Sequence, residues 1–452
     1  MKIIVAGAGE QGTFISQAFT AQGHDVVLVD RDAEALDAAG ETLDVMTMEG
    51  DCTYRTTLEA AGASGAAGYL GLTGDDATNL VSAALARTLG AKTTVARVAA
   101  PGFYPKRRGV EFGLLGVHAT LCEARLASAE LENLAMGRHA SMMESLGLGA
   151  LRVGLFPVGK DSPVKGVYPH ELHLPEGIRV SGVARVGFLR PPADAPRLEP
   201  DDVLMLAGDA TQMPAAWPRL CREGDLSRAV VLGGGDVGSQ LAEDLAQAFA
   251  RVELVEMRRD RAEKLAEDLP NIRVLVGDGR HVRFLEDLNL DSAAAVFSTT
   301  RDDETNLLIA LMARKLGARQ TFSLLRRSGY RDAFEHLPID GFVGTYEVMA
   351  RCCASIVAKA GIRGTLKIKD TGHRLIEWHW PDGGFEGEDK LRGDDLPIPS
   401  GGFVVAHLSD SRCVEEAHSA IHAGDTHLFA IPERDIGRFE RAMRRWAKGG
   451  SR

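Results

Sequence analysis

Two stretches of the chain repeat the same order of apolar and polar positions. Residues 2–30 open with a short apolar run, pass through a glycine-rich turn into apolar positions at helical spacing, and close with a second apolar run at 26–29. Residues 229–256 repeat this order half a chain later, in a protein of 452 residues. A strand, an amphipathic helix and a second strand predict a β-α-β unit with parallel strands. The repetition indicates an internal duplication.

Each repeat carries a G-x-G-x-x-G turn between its first strand and its helix. In dinucleotide-binding folds the first glycine permits the turn, the second lets a phosphate approach, and the third allows close packing of helix and strand. Free N–H groups at the start of the helix then face the anion. An acidic residue ends each second strand, where a carboxylate accepts hydrogen bonds from ribose hydroxyls. These positions are Gly7, Gly9, Gly12 and Asp30, and in the second repeat Gly233, Gly235, Gly238 and Glu256.

Two further patterns recur after the predicted third and fourth strands. The G-D-C triplet at 50–52 returns as G-D-G at 277–279, and a T-x-D-D-x-x-N pattern at 73–79 returns at 300–306. The second pattern opens an apolar helix, so its aspartates are also suited to capping free N–H groups. It lies at the carboxyl end of a strand, where open α/β sheets bind ligands, and we expect it to lie near the ligand as well.

The segments that follow each repeat have a different pattern, with short predicted strands separated by Pro and Gly. This predicts a small α+β module after each repeat, and the second module matches the first only loosely. Apolar positions at 117–135 predict a helix that leads out of the first repeat. The predicted boundaries are 1–125 and 227–345 for the α/β repeats, 126–150 and 346–363 for connecting helices, and 151–220 and 364–450 for the modules.

Composition narrows the possible functions. A net charge of -11 disfavours a nucleic-acid-binding protein, which needs a basic face. The six cysteines show no C-x-x-C spacing, so we expect reduced cytosolic thiols and no metal site. No apolar run approaches the ~20 residues of a membrane span, so a cytoplasmic protein is expected.

Together, the paired glycine turns, the terminal acids, the G-D-x triplets and above all T-x-D-D-x-x-N resemble the RCK family (regulator of potassium conductance), also called KTN. The resemblance covers almost the whole chain. It implies an α/β fold of two tandem Rossmann-like, doubly wound parallel sheets, each followed by a small α+β RCK C-terminal module. It also implies NAD(H), or ATP or ADP, as the bound cofactor.

The resemblance implies a cofactor site in each repeat. Arg97 matches a family arginine that reaches phosphates, and Arg326 takes this place in the second repeat with Arg327 as the alternative. Because Arg258 and Arg259 follow Glu256, we expect the two sites to differ in ligand. The first site comprises Gly7, Gly9, Glu10, Gln11, Gly12, Asp30, Asp51, Cys52, Thr73, Asp75, Asn79 and Arg97. The second comprises Gly233, Gly235, Asp236, Val237, Gly238, Glu256, Asp278, Gly279, Thr300, Asp302, Asn306 and Arg326.

In function, the resemblance implies a regulatory subunit that gates a Trk-type potassium channel or transporter. Such a subunit is expected on the inner face of the cell membrane, held by its channel partner, as a homo-oligomer and commonly a tetramer. One alternative is an NAD-dependent oxidoreductase, but no catalytic residue is recognisable and no Tyr-x-x-x-Lys occurs, so we predict a non-enzyme. The other alternative is a cytosolic nucleotide sensor unrelated to ion transport, which would share every binding residue.

Overall fold

Four β-sheets with their surrounding helices make up the protein, which we describe from a computed structural model. Two sheets are mainly parallel and belong to the two sequence repeats, and two are antiparallel and belong to the modules. The described residues are 1–100, 103, 110–136, 142–146, 151–210, 212–220, 226–326, 337–357, 361–368, 371–380, 396–409, 412–414 and 421–446.

The first repeat alternates strands and helices. Its elements are β1 (Lys2–Ala6), α1 (Glu10–Ala21), β2 (Asp25–Asp30), α2 (Ala33–Thr42), β3 (Met46–Glu49), α3 (Arg55–Ala60), β4 (Gly68–Gly71), α4 (Asp76–Thr88), β5 (Thr93–Arg97), β6 (Val110–Phe112), β7 (Ala119–Leu121) and α5 (Glu123–Met136). The strand order is β3-β2-β1-β4-β5-β7-β6, and β6 pairs antiparallel with β7. Along β1, Ile3 and Val5 face one apolar core while Ile4 and Ala6 face another. Helices therefore cover both faces of the sheet, which explains the unbroken apolar run.

The second repeat follows the same plan. Its elements are β13 (Ala229–Leu232), α7 (Asp236–Leu245), β14 (Val252–Glu256), α8 (Arg259–Asp268), β15 (Arg273–Val276), α9 (Val282–Asp287), β16 (Ala295–Ser298), α10 (Asp303–Lys315), β17 (Thr321–Leu325), β18 (Gly341–Gly344) and α11 (Thr345–Val357). All its strands are parallel, in the order β15-β14-β13-β16-β17-β18. Val231 and Val230 face different cores, as in the first repeat. The predicted pair of doubly wound sheets is confirmed.

The helix predicted at 117–135 is wrong at its start. Ala119–Leu121 forms β7, in which Ala119 pairs with Val95 of β5, and α5 begins only at Glu123. Both faces of this strand are buried, so its apolar residues show no alternation that separates a strand from a helix. Within the predicted connecting segment 126–150, the described helix ends at Met136 and Met142–Leu146 forms a strand.

Each repeat is followed by an antiparallel module. The first contains β8 (Met142–Leu146), β9 (Leu151–Pro157), β10 (Ile178–Arg185), β11 (Phe188–Arg190), β12 (Val203–Asp209) and α6 (Trp217–Leu220), and the second contains β19 (Gly361–Ile368), β20 (His373–His379), β21 (Phe403–Ser409), β22 (Arg412–Val414), β23 (Thr426–Pro432) and α12 (Ile436–Trp446). The sheets have the orders β11-β10-β12-β9-β8 and β19-β20-β23-β21-β22. They share one apolar core, in which Leu155 and Met205 meet Leu428 and Ala430. The modules therefore hold the two halves of the chain together at one end.

Helices α5 and α11 each pack against the opposite repeat. Helix α5 of the first repeat contacts α7, β17 and β18 of the second, while α11 of the second contacts α1 and β5 of the first. Leu131 of α5 and Met349 of α11 consequently lie in one core with Val5 and Val231. This exchange of helices joins the two repeats and places their glycine turns at a common cleft.

Candidate functional site: two glycine turns at a shared cleft

The glycine turn of the first repeat leaves the start of α1 open to an anion. Gly7 has a φ of +112°, and an added Cβ would lie 2.9 Å from the backbone of Leu72. At Gly12 an added Cβ would lie 1.8 Å from the carbonyl oxygen of Gly7, so the helix packs directly on the turn. A Cβ at Gly9 would have no atom within 4 Å, and no side chain caps the helix. Free N–H groups and open space therefore meet at Gly9, as phosphate binding requires.

The turn of the second repeat has the same geometry. Gly233 has a φ of +120°, and an added Cβ would lie 2.8 Å from the backbone of Thr299. A Cβ at Gly238 would lie 1.9 Å from the carbonyl oxygen of Gly233. At Gly235 the nearest atom would be 3.9 Å away, and no side chain caps α7. Both repeats thus have a tight turn, a helix packed closely on that turn, and open space for a phosphate at the second glycine.

The two turns face one cleft with a volume of about 620 Å³. Gly9 and Asp30 line it from the first repeat, and Gly235 and Arg326 line it from the second. A second cavity of about 580 Å³ is lined by residues of the second repeat, and Gly235 and Arg301 belong to both walls. Both volumes are within the usual size of small-molecule sites.

Asp30 lies at the edge of the shared cleft, where β2 ends. Its Oδ2 accepts a hydrogen bond from the Ala8 N–H at 2.6 Å, and its Oδ1 accepts one from the Asp32 N–H at 3.0 Å. Within the described part of the chain no Lys or Arg forms an ion pair with Asp30, and Arg31 lies 3.7 Å from Asp51 instead. Each carboxylate oxygen has a second lone pair, so the oriented Asp30 remains able to accept ribose hydroxyls.

Glu256 takes the corresponding place at the end of β14 but lies close to an arginine of the same repeat. Its Oε1 accepts a hydrogen bond from the Arg258 N–H at 2.9 Å, and Arg261 Nε lies 3.7 Å from its Oε2. The same Nε donates to the carbonyl oxygen of Gly234 at 2.9 Å, and Arg261 Nη2 lies 3.5 Å from Asp236. Arg261 therefore joins Glu256 to the glycine turn.

The aspartates after the third strands are held by different partners. Asp51 accepts hydrogen bonds from the Thr53 hydroxyl and N–H at 2.7 and 2.9 Å, which lower the pKa of its carboxyl group. Asp278 forms a two-pronged ion pair with Arg280, and the hydrogen bonds from Arg280 lower its pKa to about 2. Next to Asp51, the thiol of Cys52 lines the cleft, and burial raises its pKa.

Most of the T-x-D-D-x-x-N pattern stabilises the loop locally. Asn79 is buried; its Oδ1 accepts hydrogen bonds from the Thr73 N–H and hydroxyl at 2.8 and 2.7 Å, and its Nδ2 donates to the carbonyl oxygens of Thr73 and Arg97. Asp75 caps α4 by accepting from the Thr78 N–H at 2.7 Å. The next aspartate, Asp76, accepts from the backbone N–H groups at 99 and 100. The pattern thus ties the end of β5 to the start of α4.

The second repeat repeats these bonds. Asn306 accepts from the Thr300 N–H and hydroxyl, each at 2.7 Å, and donates to the Leu324 carbonyl oxygen at 3.0 Å. Asp302 caps α10 through the Thr305 N–H at 2.8 Å. Thr73 lines the shared cleft and Thr300 the second cavity, so the pattern positions one threonine at each site.

Two arginines and a tyrosine complete the wall of the shared cleft. Arg97 Nη2 lies 3.3 Å from Glu123 at the start of α5, so its charge is already paired. Arg326 reaches the cleft from the second repeat, and its buried Nε has no hydrogen-bond partner within the described residues. The hydroxyl of Tyr346, on α11, donates to Glu10 at 3.2 Å, and burial is the main cause that raises its pKa to about 12.

The structure brings most of the predicted site residues to the two cavities. In the first set, Asp75 and Asn79 do not line the cleft; Asp75 caps α4, and Asn79 lies in the first turn of α4, where it bonds the adjoining loop. In the second set, Asp236, Val237 and Arg326 face the shared cleft, while Gly238 and Asn306 serve packing and bracing. The remaining predicted residues line one cavity or both: Gly7, Gly9, Glu10, Gln11, Gly12, Asp30, Asp51, Cys52, Thr73, Arg97, Gly233, Gly235, Glu256, Asp278, Gly279, Thr300 and Asp302. Arg327 is outside the described residues.

Several lining residues were missed by the sequence analysis. Glu123 and Tyr346 come from the exchanged helices, and no spacing in the sequence places them at the cleft. Arg261 was detectable, because it stands five residues after Glu256 where Ala35 stands five residues after Asp30. That comparison of the two repeats identifies a cation at the ribose end of the second site.

The described residues contain neither a helix suited to span a membrane nor a cluster of side chains suited to a metal ion. None of their helices has the length and apolar character that crossing a membrane requires. Within the same residues there is no group of three or more His, Cys, Asp or Glu side chains suited to a metal ion.

Comparison with solved structures agrees with this fold. The crystal structure of the GsuK RCK domain aligns with a TM-score of 0.55 at 17% identity, covering 98% of this chain and 95% of that one. The structure titled GsuK channel bound to NAD aligns with a TM-score of 0.57 at 17% identity, covering 98% of this chain and 79% of that one. The tandem arrangement of sheets and modules is therefore that of RCK domains.

Comparison with protein sequences identifies the family. The chain is 27% identical over 430 residues to the Trk system potassium uptake protein TrkA homolog of Archaeoglobus fulgidus, covering 94% of each protein. It is 26% identical over 419 residues to the Trk system potassium uptake protein TrkA of Vibrio alginolyticus, covering 90% of each. The family model of the TrkA-N domain matches residues 3–111 and 229–344. The chain therefore belongs to the TrkA-N domain family and carries two of these domains, one in each repeat.

Proposed function

We propose that the protein is a nucleotide-binding regulatory subunit of a membrane potassium uptake transporter of the Trk type. The observation that carries the proposal is the pair of anion-binding turns, at Gly9 and Gly235, that face one cleft from two repeats. The names of the TrkA relatives, which match this chain over nearly their whole length, support potassium uptake as the process.

The residues of the first site fit NAD(H), with ATP or ADP as the other ligands of the same class. The free N–H groups at Gly9 suit a phosphate, and the carboxylate of Asp30, oriented by two backbone N–H groups, suits ribose hydroxyls. Arg326, which lines the cleft from the opposite repeat, supplies a cation to it. A bound nucleotide supplies negative charge at this cleft, and the protein's own residues supply its orientation.

A ligand in this cleft can regulate because its walls belong to different repeats. Arg326 and Tyr346 stand across the cleft from Asp30, and the exchanged helices α5 and α11 connect the two repeats mechanically. A nucleotide that contacts both walls favours the arrangement in which they are closest. A ligand shifts a gate only by its different affinity for the two states, so nucleotides that differ in phosphate charge give different outputs.

In this proposal the protein is cytoplasmic and held at the inner face of the membrane by its transporter partner. It assembles as a homo-oligomer, a tetramer in the form we propose, and acts as a regulator without catalysing a reaction. The competing functions remain an NAD-dependent oxidoreductase and a nucleotide sensor unrelated to ion transport. The first predicts turnover of NADH with a substrate, and the second predicts binding without any effect on potassium flux.

The deciding experiment measures potassium flux into vesicles that contain the transporter subunit, with and without this protein. We expect NADH, NAD⁺, ATP or ADP to change the flux only when the protein is present. Gly9→Asp should blunt the response, because it places a carboxylate where phosphate approaches, while Gly65→Asp, at the exposed end of the 3₁₀ helix Ala63–Gly65, should not. Flux that is insensitive to the protein under every nucleotide would refute the proposal, as would steady turnover of NADH with a defined substrate.

A further inference from the structure

The ribose ends of the two sites carry opposite charge. In the first site the loops after the second and third strands bring three carboxylates to the cleft, from Asp30, Asp32 and Asp51, against one guanidinium. In the second site the equivalent loops bring two carboxylates, from Glu256 and Asp278, against three guanidinium groups. These belong to Arg258, Arg261 and Arg280. The second site is therefore electrostatically suited to a more anionic group at this end.

The next helix differs in the same sense. In the first repeat, Asp32 caps α2, and its side chain accepts hydrogen bonds from the N–H groups of Glu34 and Ala35. In the second repeat, Arg258 stands at the cap position of α8, and among the described residues no side chain caps the first N–H groups of that ten-residue helix. Free N–H groups and the positive end of the helix dipole remain available to an anion.

The three arginines of the second site differ in whether their charges are already paired. Arg280 is paired with Asp278, and Arg261 is shared between Glu256, Asp236 and the Gly234 carbonyl oxygen. The exposed side chain of Arg258 forms no ion pair or hydrogen bond within the described part of the chain. It lies at the mouth of the cavity beside Arg261. The uncapped start of α8 therefore lies near Arg258, which is unpaired within the described residues, and near Arg261, which is already paired with Glu256.

We infer that the second site selects a nucleotide with a phosphate on its adenosine ribose, as in NADP(H), and that Arg261 determines this selectivity. The inference rests on the proposed nucleotide-binding function and specifies the ligand class of one of its two sites. The 2′-phosphate accepts hydrogen bonds from Arg258, Arg261 and the first N–H groups of α8. Because Arg261 balances the charge of Glu256, that carboxylate does not exclude the phosphate from the second site. Asp30, which has no such cation, excludes it from the first site.

The test titrates NADP⁺ and NAD⁺ by calorimetry into the full chain carrying Gly9→Asp, which closes the first site. NADP⁺ should bind at least about tenfold more tightly than NAD⁺, the effect of a charge-assisted hydrogen bond. Arg261→Ala should remove this preference, and Arg258→Ala should reduce it. Arg283→Ala, which removes an exposed charge of the same repeat outside the cavity, should leave it unchanged.

The reciprocal change is Ala35→Arg in a chain carrying Gly234→Asp, which places a carboxylate beside Glu256 in the second cavity and leaves the lining of the shared cleft intact. It should reduce the preference of the first site for NAD⁺, because it places a guanidinium five residues after Asp30. Equal affinity of the Gly9→Asp protein for both dinucleotides overturns the inference, as does an equal loss of both ligands in Arg261→Ala. If neither dinucleotide binds any variant, the proposed function fails as well. If NADP⁺ selectivity holds but flux does not respond, only the proposed function fails.

Discussion

The first and second repeats have the same backbone at their glycine turns but different side chains around the ribose acid. An added Cβ would be 1.8 Å from a carbonyl oxygen at Gly12 and 1.9 Å from one at Gly238, so neither position tolerates another residue. The residues that follow Asp30 and Glu256 are under no such steric constraint. They differ in charge between the repeats, as Ala35 and Arg261 show. The duplication thus preserved the glycines that the backbone requires, while the residues next to Asp30 and Glu256 were free to change.

The largest expected effect comes from closing one site at a time. Gly9→Asp should lower nucleotide affinity of the first site by about 100-fold or more, because like charges brought together cost several kcal/mol. Gly235→Asp should affect both cavities, since Gly235 lines both. Titration calorimetry on each variant measures this, with Gly65→Asp as the control. If Gly235→Asp lowered nucleotide affinity only at the second cavity, the shared cleft would be contradicted.

A smaller effect is expected from the ribose acids. Asp30→Ala should weaken NAD⁺ or NADH at the first site by about 1–3 kcal/mol, through lost hydrogen bonds to a charged group. Glu256→Ala should weaken the second-site ligand less, because Arg261 already neutralises that carboxylate. Asp25→Ala is the control, since it removes a charge from the other end of the same strand. Unchanged dinucleotide affinity in Asp30→Ala would remove Asp30 from the site.

The interfaces made by the exchanged helices also differ, and pH should reveal the difference. Helix α1 meets α11 through the apolar Phe14 and Tyr346 rings, whereas α7 meets α5 through Asp244, which accepts from Ser128 and Gln240. Burial, with the nearby charge of Glu132, raises the pKa of Asp244 to about 7.

Because the folded pKa of Asp244 is above its unfolded value, the folded chain holds a proton between these values that the unfolded chain has released. This stabilisation is fully present below the unfolded pKa of about 3.9, declines as pH rises between the two values, and is lost once pH has passed about 7. Between pH 5 and 8 the free energy of unfolding should fall by roughly 1–3 kcal/mol, given about 1.4 kcal/mol per pKa unit. Denaturant titrations should show this fall reduced in Asp244→Asn and kept in Asp268→Asn, an exposed control. An identical pH profile in Asp244→Asn would contradict the assignment.

The smallest effect is expected at Tyr346. Tyr346→Phe removes the hydrogen bond to Glu10 but keeps the ring packed on Phe14, so stability should fall by about 0.5–1 kcal/mol. Tyr346→Ala should cost more, because the ring contact with the first repeat is lost as well. Denaturant unfolding measures both changes. Equal stability of the Phe and Ala variants would show that the ring does not join the repeats.

The sequence predicted the parallel sheets because their strands and turns follow local rules. A strand buried on both faces is an unbroken apolar run, and a tight turn with close helix packing requires glycine at fixed spacing. The same locality explains the error at 117–135, where a buried strand and the helix after it have the same apolar character. It also explains why T-x-D-D-x-x-N was located correctly at strand ends, although Asp75 and Asn79 bond the loop, the start of α4 and the end of β5 and do not line the cleft.

By itself, the sequence determined the duplication, the two glycine turns, the acids Asp30 and Glu256, and the excess of arginine beside the second acid. The turns and the acids recur at the same spacings in both repeats, as backbone sterics require, and the excess of arginine is visible at 258–261. Only the tertiary structure decided that the two turns share a cleft. The exchange of α5 and α11 depends on faces that meet across long stretches of chain, 116 residues between Ser128 and Asp244 and 221 between Glu130 and Arg351. No local pattern encodes which of several apolar helices such a face will bury, so Arg326 and Tyr346 reach the first site through packing alone.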